Sequence, residues 1–226
     1  MNVLSSFNMD RHQRVVIDTT RQQWLASPST GVWRIPLERE AAERGQVTSL
    51  VRYDPNTHFQ AHFHPNGEEI FVIDGVFQDE DGDYPAGTYI RNPPGSYHSP
   101  GSNTGCLLYV KLNMFPEEDN VIFRLDTHNA SWQPGLENGM STLPLHGFKG
   151  EQTVMMKWQP DTSLPRHRHD GGEEVFILSG EFCDEQGEYE KGTWLRNPAG
   201  STHQPSTRKG CLMLVKTGHL LVAGDF

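Results

Sequence analysis

An internal duplication constrains this chain more than any other feature. Shifted by 105 residues, positions 48–111 align with 153–216 without a gap, and 29 of the 64 aligned residues are identical. Glu68 and Glu69 match Glu173 and Glu174, and Arg91, Asn92 and Pro93 match Arg196, Asn197 and Pro198. The repeat continues upstream with a slip of three residues. Trp24, Gly31, Pro36 and Leu37 match Trp132, Gly139, Pro144 and Leu145 at an offset of 108. A repeat of this length is a whole domain rather than one unit of a solenoid. The expected domains are residues 20–115 and 128–220. The join at 115–128 contains Pro116, Glu117 and Glu118 and reads as a linker.

Within each repeat the local pattern is β. Residues 48–53, 69–73 and 106–112 are short runs rich in Val, Ile, Leu and aromatics. Turn formers punctuate them: Asp54-Pro55-Asn56, Pro65-Asn66-Gly67, Asp81-Gly82-Asp83 and Pro93-Pro94-Gly95. Many short strands between evenly spaced turns predict an all-β barrel or sandwich. One short helix is expected over 37–44, and residues 220–222 are expected to offer an edge strand to a neighbouring copy.

The chemistry lies in a second layer of the repeat. Each copy carries His-x-His-x3-Glu followed by Gly-x5-Pro-x-Gly-x2-His. In the first copy the candidate ligands are His62, His64, Glu68 and His98; in the second, His167, His169, Glu173 and His203. Side chains on a strand alternate faces, so the two histidines of His-x-His point the same way. The Pro-Asn-Gly turn can return Glu68 on the neighbouring strand facing the same interior. The Pro-Pro-Gly turn can bring His98 from a distant strand. Six of the chain's 11 histidines fall at these positions, and all eight ligands persist in both copies while about half the surrounding positions differ. Imidazole and carboxylate together suit a divalent transition metal in each site: zinc, iron, manganese, nickel or copper.

These residues resemble the two motifs of the cupin superfamily, whose members are double-stranded β-helix, or jelly-roll, barrels. The first motif is met by His62, His64, Glu68 and Gly75, and by His167, His169, Glu173 and Gly180. The second is met by Gly87, Pro93, Gly95 and His98, and by Gly192, Pro198, Gly200 and His203. Where the first motif opens on glycine this chain has Asn56 or Asp161. Where the second ends on asparagine it has Ser102 or Thr207. The resemblance therefore implies two tandem cupin barrels. More narrowly, the run from Gly67-Glu68-Glu69 through Asp79-Glu80 and Tyr84 to Arg91-Asn92-Pro93-Pro94-Gly95-Ser96 resembles the cupin domain of ChrR-type anti-sigma factors. In that family a zinc-bearing helical domain precedes the cupin and grips the sigma factor. Residues 1–20 hold one histidine, His12, and no cysteine, so no such domain is expected in this chain. Related free-standing cupins include metal-dependent dioxygenases that cleave carbon–carbon bonds of diketones and aromatic ketones.

Several residues around the ligands differ between the copies and so bear on what each site holds. His58 and Gln60 share the inner face of the strand leading to His62; their counterparts are Ser163 and Pro165. Tyr97 becomes Thr202. His58, Gln60 and Tyr97 are candidate pocket residues of the first repeat. Glu69 and Glu174 face away from the ligands and are expected to pair with Arg91 and Arg196. Cys106 and Cys211, at equivalent positions, read as small buried hydrophobes.

Composition narrows the partners. Lys and Arg total 19 against 29 Asp and Glu, a formal charge of −10, which repels phosphate backbones and anionic lipid. No nucleic acid and no membrane are expected. No apolar run approaches the roughly 18 residues of a membrane helix, and residues 1–20 lack the apolar core of a secretion signal, so a cytoplasmic location is expected. Three cysteines without a CxxC pair fit a reducing compartment. Two function classes remain: a dioxygenase-like enzyme acting on a small ketone, or a zinc-binding sensor acting through a regulatory protein partner. A homodimer is expected by resemblance alone.

Overall fold

The computed structural model describes residues 6–41 and 45–221. Among these the regular elements are strands, with a single 3-10 turn at Thr19–Arg21 and no α-helix. The chain forms two compact units, one of residues 6–9 and 23–130, the other of residues 10–22 and 131–221.

In the first unit the main sheet runs, strand by strand, Phe123–Asp126, Thr88–Asn92, Glu68–Asp79, Cys106–Leu112, Val47–Tyr53, Val32–Arg39 and Leu25–Ala26. The second unit repeats this order with Val15–Asp18, Thr193–Asn197, Glu173–Asp184, Cys211–Thr217, Glu151–Trp158, Met140–Phe148 and Gln133–Pro134. This is the jelly-roll architecture expected of a cupin. One strand serves both halves of each barrel. The first part of Glu68–Asp79 pairs with Thr88–Asn92 and Cys106–Leu112, and its second part pairs with Gly82–Pro85. The change of partner requires a corner. The ladder slips at Leu107/Leu108, and Gly75 adopts φ +72° where an added Cβ would lie 2.1 Å from the Gly105 carbonyl oxygen. Only glycine fits there. Gly180 repeats the arrangement against Gly210.

Alternation along these strands sorts the side chains. Ile70, Val72, Ile90, Leu108 and Val110 pack inside the first barrel, and Val175, Ile177, Leu195, Met213 and Val215 take the same places in the second. The opposite face carries buried charge. Arg91 meets Glu69 at 3.3 Å and Asp119 at 2.5 Å beneath the Phe115 ring, as expected for the Glu69–Arg91 pair. In the second unit Arg196 donates to the Asp10 carbonyl at 2.8 Å, while His219 stands 3.3 Å from Glu174.

Three expectations about local structure change. Residues 37–39 lie in the strand Val32–Arg39, not a helix, because pairing with Val47–Tyr53 buries Leu37 completely; residues 42–44 lie outside the described residues. The expected linker carries the strand Phe123–Asp126, which forms the edge of the first barrel against Thr88–Asn92. Likewise Val15–Asp18, near the start of the chain, forms the edge of the second barrel against Thr193–Asn197. Leu220 is buried and donates its N–H to the Gly171 carbonyl, so it closes its own barrel rather than offering an edge; Val222 lies outside the described residues. No helix among the described residues is long and apolar enough to cross a membrane.

Candidate metal centres

The two strands that carry the histidines form a small ribbon at the mouth of each barrel. His62–His64 pairs with Ser96–His98 so that His98 stands directly opposite His62 and Ser96 opposite His64. All three imidazoles therefore share one face. Gly67, at φ +80°, turns the chain, its N–H held by the His64 carbonyl, and Glu68 enters from the adjacent strand. The second barrel repeats the register with His203 opposite His167.

In each triad the ligand nitrogens lie within 4.8 Å of one another. His64 Nε2 is 2.9 Å from His98 Nε2, and Glu68 Oε2 is 3.4 Å and 3.5 Å from the same two atoms. In the second site His169 Nε2 and His203 Nε2 are 3.0 Å apart, with Glu173 oxygens at 3.5 Å and 3.6 Å. Proton placement then decides what the cluster can hold. His62 Nδ1 faces the Gln60 carbonyl at 3.1 Å, and a carbonyl can only accept, so the proton sits on Nδ1. His98 Nδ1 faces Asp79 at 3.5 Å, which places its proton there too. His167 Nδ1 faces the Pro165 carbonyl at 2.9 Å in the same way, and Asp184 stands 3.9 Å from His203 Nδ1, beyond hydrogen-bond range but close enough for its charge to favour a proton there. The Nε2 lone pairs are thereby turned toward each other and toward a carboxylate. Such a donor set fits a cation and can hold a metal.

Supporting groups fix this arrangement. Asn92 Nδ2 donates to Glu68 Oε2 at 2.9 Å, and Asn197 does so to Glu173 at 3.0 Å. Tyr84 donates to Asp79 at 3.0 Å and Tyr189 to Asp184 at 2.9 Å. One arginine ties the group together in each barrel. Arg124 donates to the Asn92 side-chain oxygen at 2.6 Å and lies over the Tyr84 ring. Arg14 donates to Asn197 at 2.9 Å, Tyr189 at 2.7 Å and Asp184 at 3.1 Å.

The electrostatics are consistent. Burial lowers the pKa of His64, and His98 and His62 add to this against the opposing charge of Glu68. Burial also acts to lower that of His98, but the hydrogen bond to Asp79 and the charge of Glu68 outweigh it and the net shift is upward. For Asp184 burial pushes upward, yet the neighbouring His203, hydrogen bonds from the Gln186 N–H and Tyr189, and the charge of Arg14 hold it at about 2.

A cavity of about 1010 Å³ opens on two histidines of the first triad. His62, His64 and Glu68 line it together with Val51, Ile70 and Leu108. His58 and Gln60 line its mouth, and both are exposed. Tyr97 turns outward instead, 52% exposed, and packs its ring on Phe63 with centroids 4.8 Å apart. Asn56 and Asp161, which replace the motif glycine, adopt φ +60° and +58°. Ser102 and Thr207, at the motif's final position, donate to the Val76 and Glu181 carbonyls.

Asp79, Tyr84 and Asn92 stood in the run that carries the family resemblance, and each is identical in the second copy, but nothing in the sequence marked them as supports of the ligands. Arg14 and Arg124 left no repeat signal. They occupy different register positions on segments outside the aligned block.

A jelly-roll barrel with converging histidines and a glutamate at its mouth defines the cupin class, and this chain has two such barrels. It belongs to the ChrR cupin-like domain family, whose model matches residues 12–116 and again 121–221. No curated protein matches in sequence. Similar solved structures include a Nostoc punctiforme protein named "putative dioxygenase", with TM-score 0.75, 17% identity, and 94% of this chain and 85% of that one covered. The YlbA protein of E. coli matches with TM-score 0.71 and 15% identity over 96% of this chain and 94% of that one. Oxalate decarboxylase of Lactobacillus farciminis, in complex with formate, matches with TM-score 0.64 and 12% identity over 91% and 86%.

Proposed function

We propose that this bicupin is a metal-dependent enzyme of dioxygenase-like type whose first barrel acts on a small diketone-like or aromatic ketone substrate. The metal ligands are His62, His64, Glu68 and His98, with His167, His169, Glu173 and His203 holding a second metal. The observation that carries this reading is the cavity opening directly on His62, His64 and Glu68. A purely structural metal needs no such access. A divalent iron, manganese or nickel held by these three histidines and one glutamate would supply Lewis acidity toward a carbonyl oxygen. The protein's part is to orient the ligands through Asp79 and Asn92 and to keep water from the substrate with Val51, Ile70 and Leu108. Similarity to the Nostoc protein and to oxalate decarboxylases favours an enzyme; the manganese(II) centres named for the Bacillus subtilis oxalate decarboxylase favour a metal of this kind.

The competing reading is a zinc sensor acting through a protein partner, supported by the family match. Redox sensing by thiols is disfavoured. Burial pushes Cys106 up to about 11 and Cys211 up to about 12, which leaves almost no thiolate. The test is dioxygen uptake by iron-loaded protein over a panel of diketones, against a His62→Ala/His64→Ala control. Substrate-stimulated uptake lost in the control supports the enzyme. Uptake no greater than the control with every diketone removes it, and two tightly held zinc ions per chain would then favour the sensor.

A further inference from the structure

The inner face of the strand Val47–Tyr53 ends at Tyr53, which lines the first cavity. Its ring centroid is 5.2 Å from that of Phe59 and 6.3 Å from that of Phe77. Phe59 in turn lies 6.2 Å from the His62 ring, and Phe77 lies 6.1 Å from the His98 ring. One aromatic ring therefore separates Tyr53 from each of two candidate metal ligands.

Tyr53 is only 8% exposed, yet its hydroxyl bonds to no described residue. Tyr84, in the same core, donates to Asp79. A buried phenol ordinarily finds a partner, so one that lacks it and borders a cavity calls for an explanation. Burial above all, and after it the charge of Glu68, pushes the Tyr53 pKa well above the usual tyrosine value. The group therefore stays an O–H donor at neutral pH. Around it the wall is apolar, formed by Val32, Val51 and Leu108.

In the second barrel Trp158 stands in the place of Tyr53. It too brings a donor without a partner among the described residues, but Trp158 is 3% exposed and its Nε1 is wholly buried. The neighbours explain why. Met140, Met156 and Met213 replace Val32, Val51 and Leu108, and all three pack in the core around Trp158. Unbranched methionine reaches further into a barrel than valine or leucine and fills irregular gaps. Leu164 in place of Phe59 returns only part of that space. The scaffold thus keeps an aromatic donor at this position in both copies and leaves room beside it in the first.

We propose that the first cavity takes a small dicarbonyl molecule, one oxygen facing the His62–His64–His98 triad and the other accepting a hydrogen bond from Tyr53, and that the second barrel is closed to it by Trp158 and its methionines. This rests on reading the first barrel as a substrate site, and it adds the residue that selects the substrate.

The test measures binding rather than turnover. The full chain, loaded with nickel and kept anaerobic, is titrated calorimetrically with para-diacetylbenzene and separately with para-ethylacetophenone. The two match in shape and differ by one carbonyl oxygen. The expected result is one diacetylbenzene bound per chain, about fivefold tighter than the ethyl compound, as one neutral hydrogen bond gives. Tyr53→Phe keeps the ring and should abolish that preference with nickel content unchanged. Val51→Met with Leu108→Met, which copies the second barrel, should abolish binding of both probes, again with nickel content unchanged. Equal affinity for the two probes in the unaltered protein overturns the proposal, as does a preference that survives Tyr53→Phe, a second molecule bound per chain, or the absence of saturable binding. A preference lost in Tyr53→Phe, without dioxygen uptake on any diketone, would remove the dioxygenase reading and leave this one standing. Diketone-stimulated uptake with no preference between the probes would do the reverse.

Discussion

Asp79 stands 3.5 Å from His98 Nδ1 and Asp184 3.9 Å from His203 Nδ1, so each carboxylate favours the tautomer that turns the Nε2 lone pair toward the site. Groups in this position typically change metal affinity 10- to 100-fold. Asp79→Asn should therefore weaken metal at the first centre by about that factor and leave the second unchanged. Competition with a chromophoric chelator would show one weak and one tight site; two unchanged sites would contradict the assignment. The three thiols give a second residue-scale prediction. Cys106, Cys183 and Cys211 are all buried, with pKa values pushed up to about 11, 11 and 12. Iodoacetamide should label none of them appreciably in the folded protein at pH 7 and all three once it is unfolded, as counted by mass spectrometry. At this scale the eight metal-ligand candidates were readable because duplication supplied an internal control. Tyr97 misled because it was chosen for its difference from Thr202, whereas alternation next to His98 already turns it to the outer face of the ribbon beside Phe63.

The corner at Gly75 and Gly180 shows what one element asks of one residue. A strand that serves two sheets must bend where its ladder slips, and the crowding against the Gly105 and Gly210 carbonyls leaves no room for a side chain. Gly75→Ala should destabilise the first barrel by about 1–3 kcal/mol, the range for a non-glycine residue held in the left-handed region, with additional loss from the clash. Denaturant unfolding followed by metal release would report it. Next to the second corner, Glu181 links its strand to Lys209, 2.7 Å away, and to Arg208 at 3.3 Å. Hydrogen bonds from Lys209, with burial opposing and Arg208 and Cys183 assisting, bring its pKa from 4.5 to about 2. A lowered carboxyl pKa stabilises the fold above the unfolded value and ceases to do so as pH falls through the folded one. Glu181→Gln should thus lower the denaturation midpoint at pH 7, and the gap to the parent should begin to narrow below about pH 4.5. A gap constant from pH 7 to pH 3 would count against this ion pair. Val76 occupies the same place in the first barrel. The difference was visible in the alignment, but its partners were not, because they lie on a turn that the repeat does not preserve.

At the scale of the whole molecule, the repeat implied two β domains and the cupin resemblance implied jelly-roll barrels, but neither implied which strands form the barrel edges. The aligned block ends before Phe123–Asp126 and begins after Val15–Asp18. Both edge strands are only four residues long and lie outside the duplicated block, so the repeat carried no signal for either. Their placement has a consequence for how the chain can be divided. Val15–Asp18 pairs with Thr193–Asn197, and the preceding Arg14 holds Asn197, Asp184 and Tyr189 around the second centre. A fragment cut by the repeat alone, residues 128–226, would lack all of these contacts. It would expose the backbone of Thr193–Asn197 as an open edge, which is a route to self-association. Joining residues 10–22 to that fragment through a flexible glycine–serine linker should raise its melting temperature, reduce aggregation and tighten its metal binding. Placing Arg14→Ala in the joined form should keep the gain in solubility, which comes from the paired edge, and lose the gain in metal affinity, which comes from the arginine. Light scattering and chelator competition read these two effects separately. If the joined and bare fragments behave alike in both, the edge strand contributes nothing to the second barrel and the repeat boundaries are the true domain boundaries.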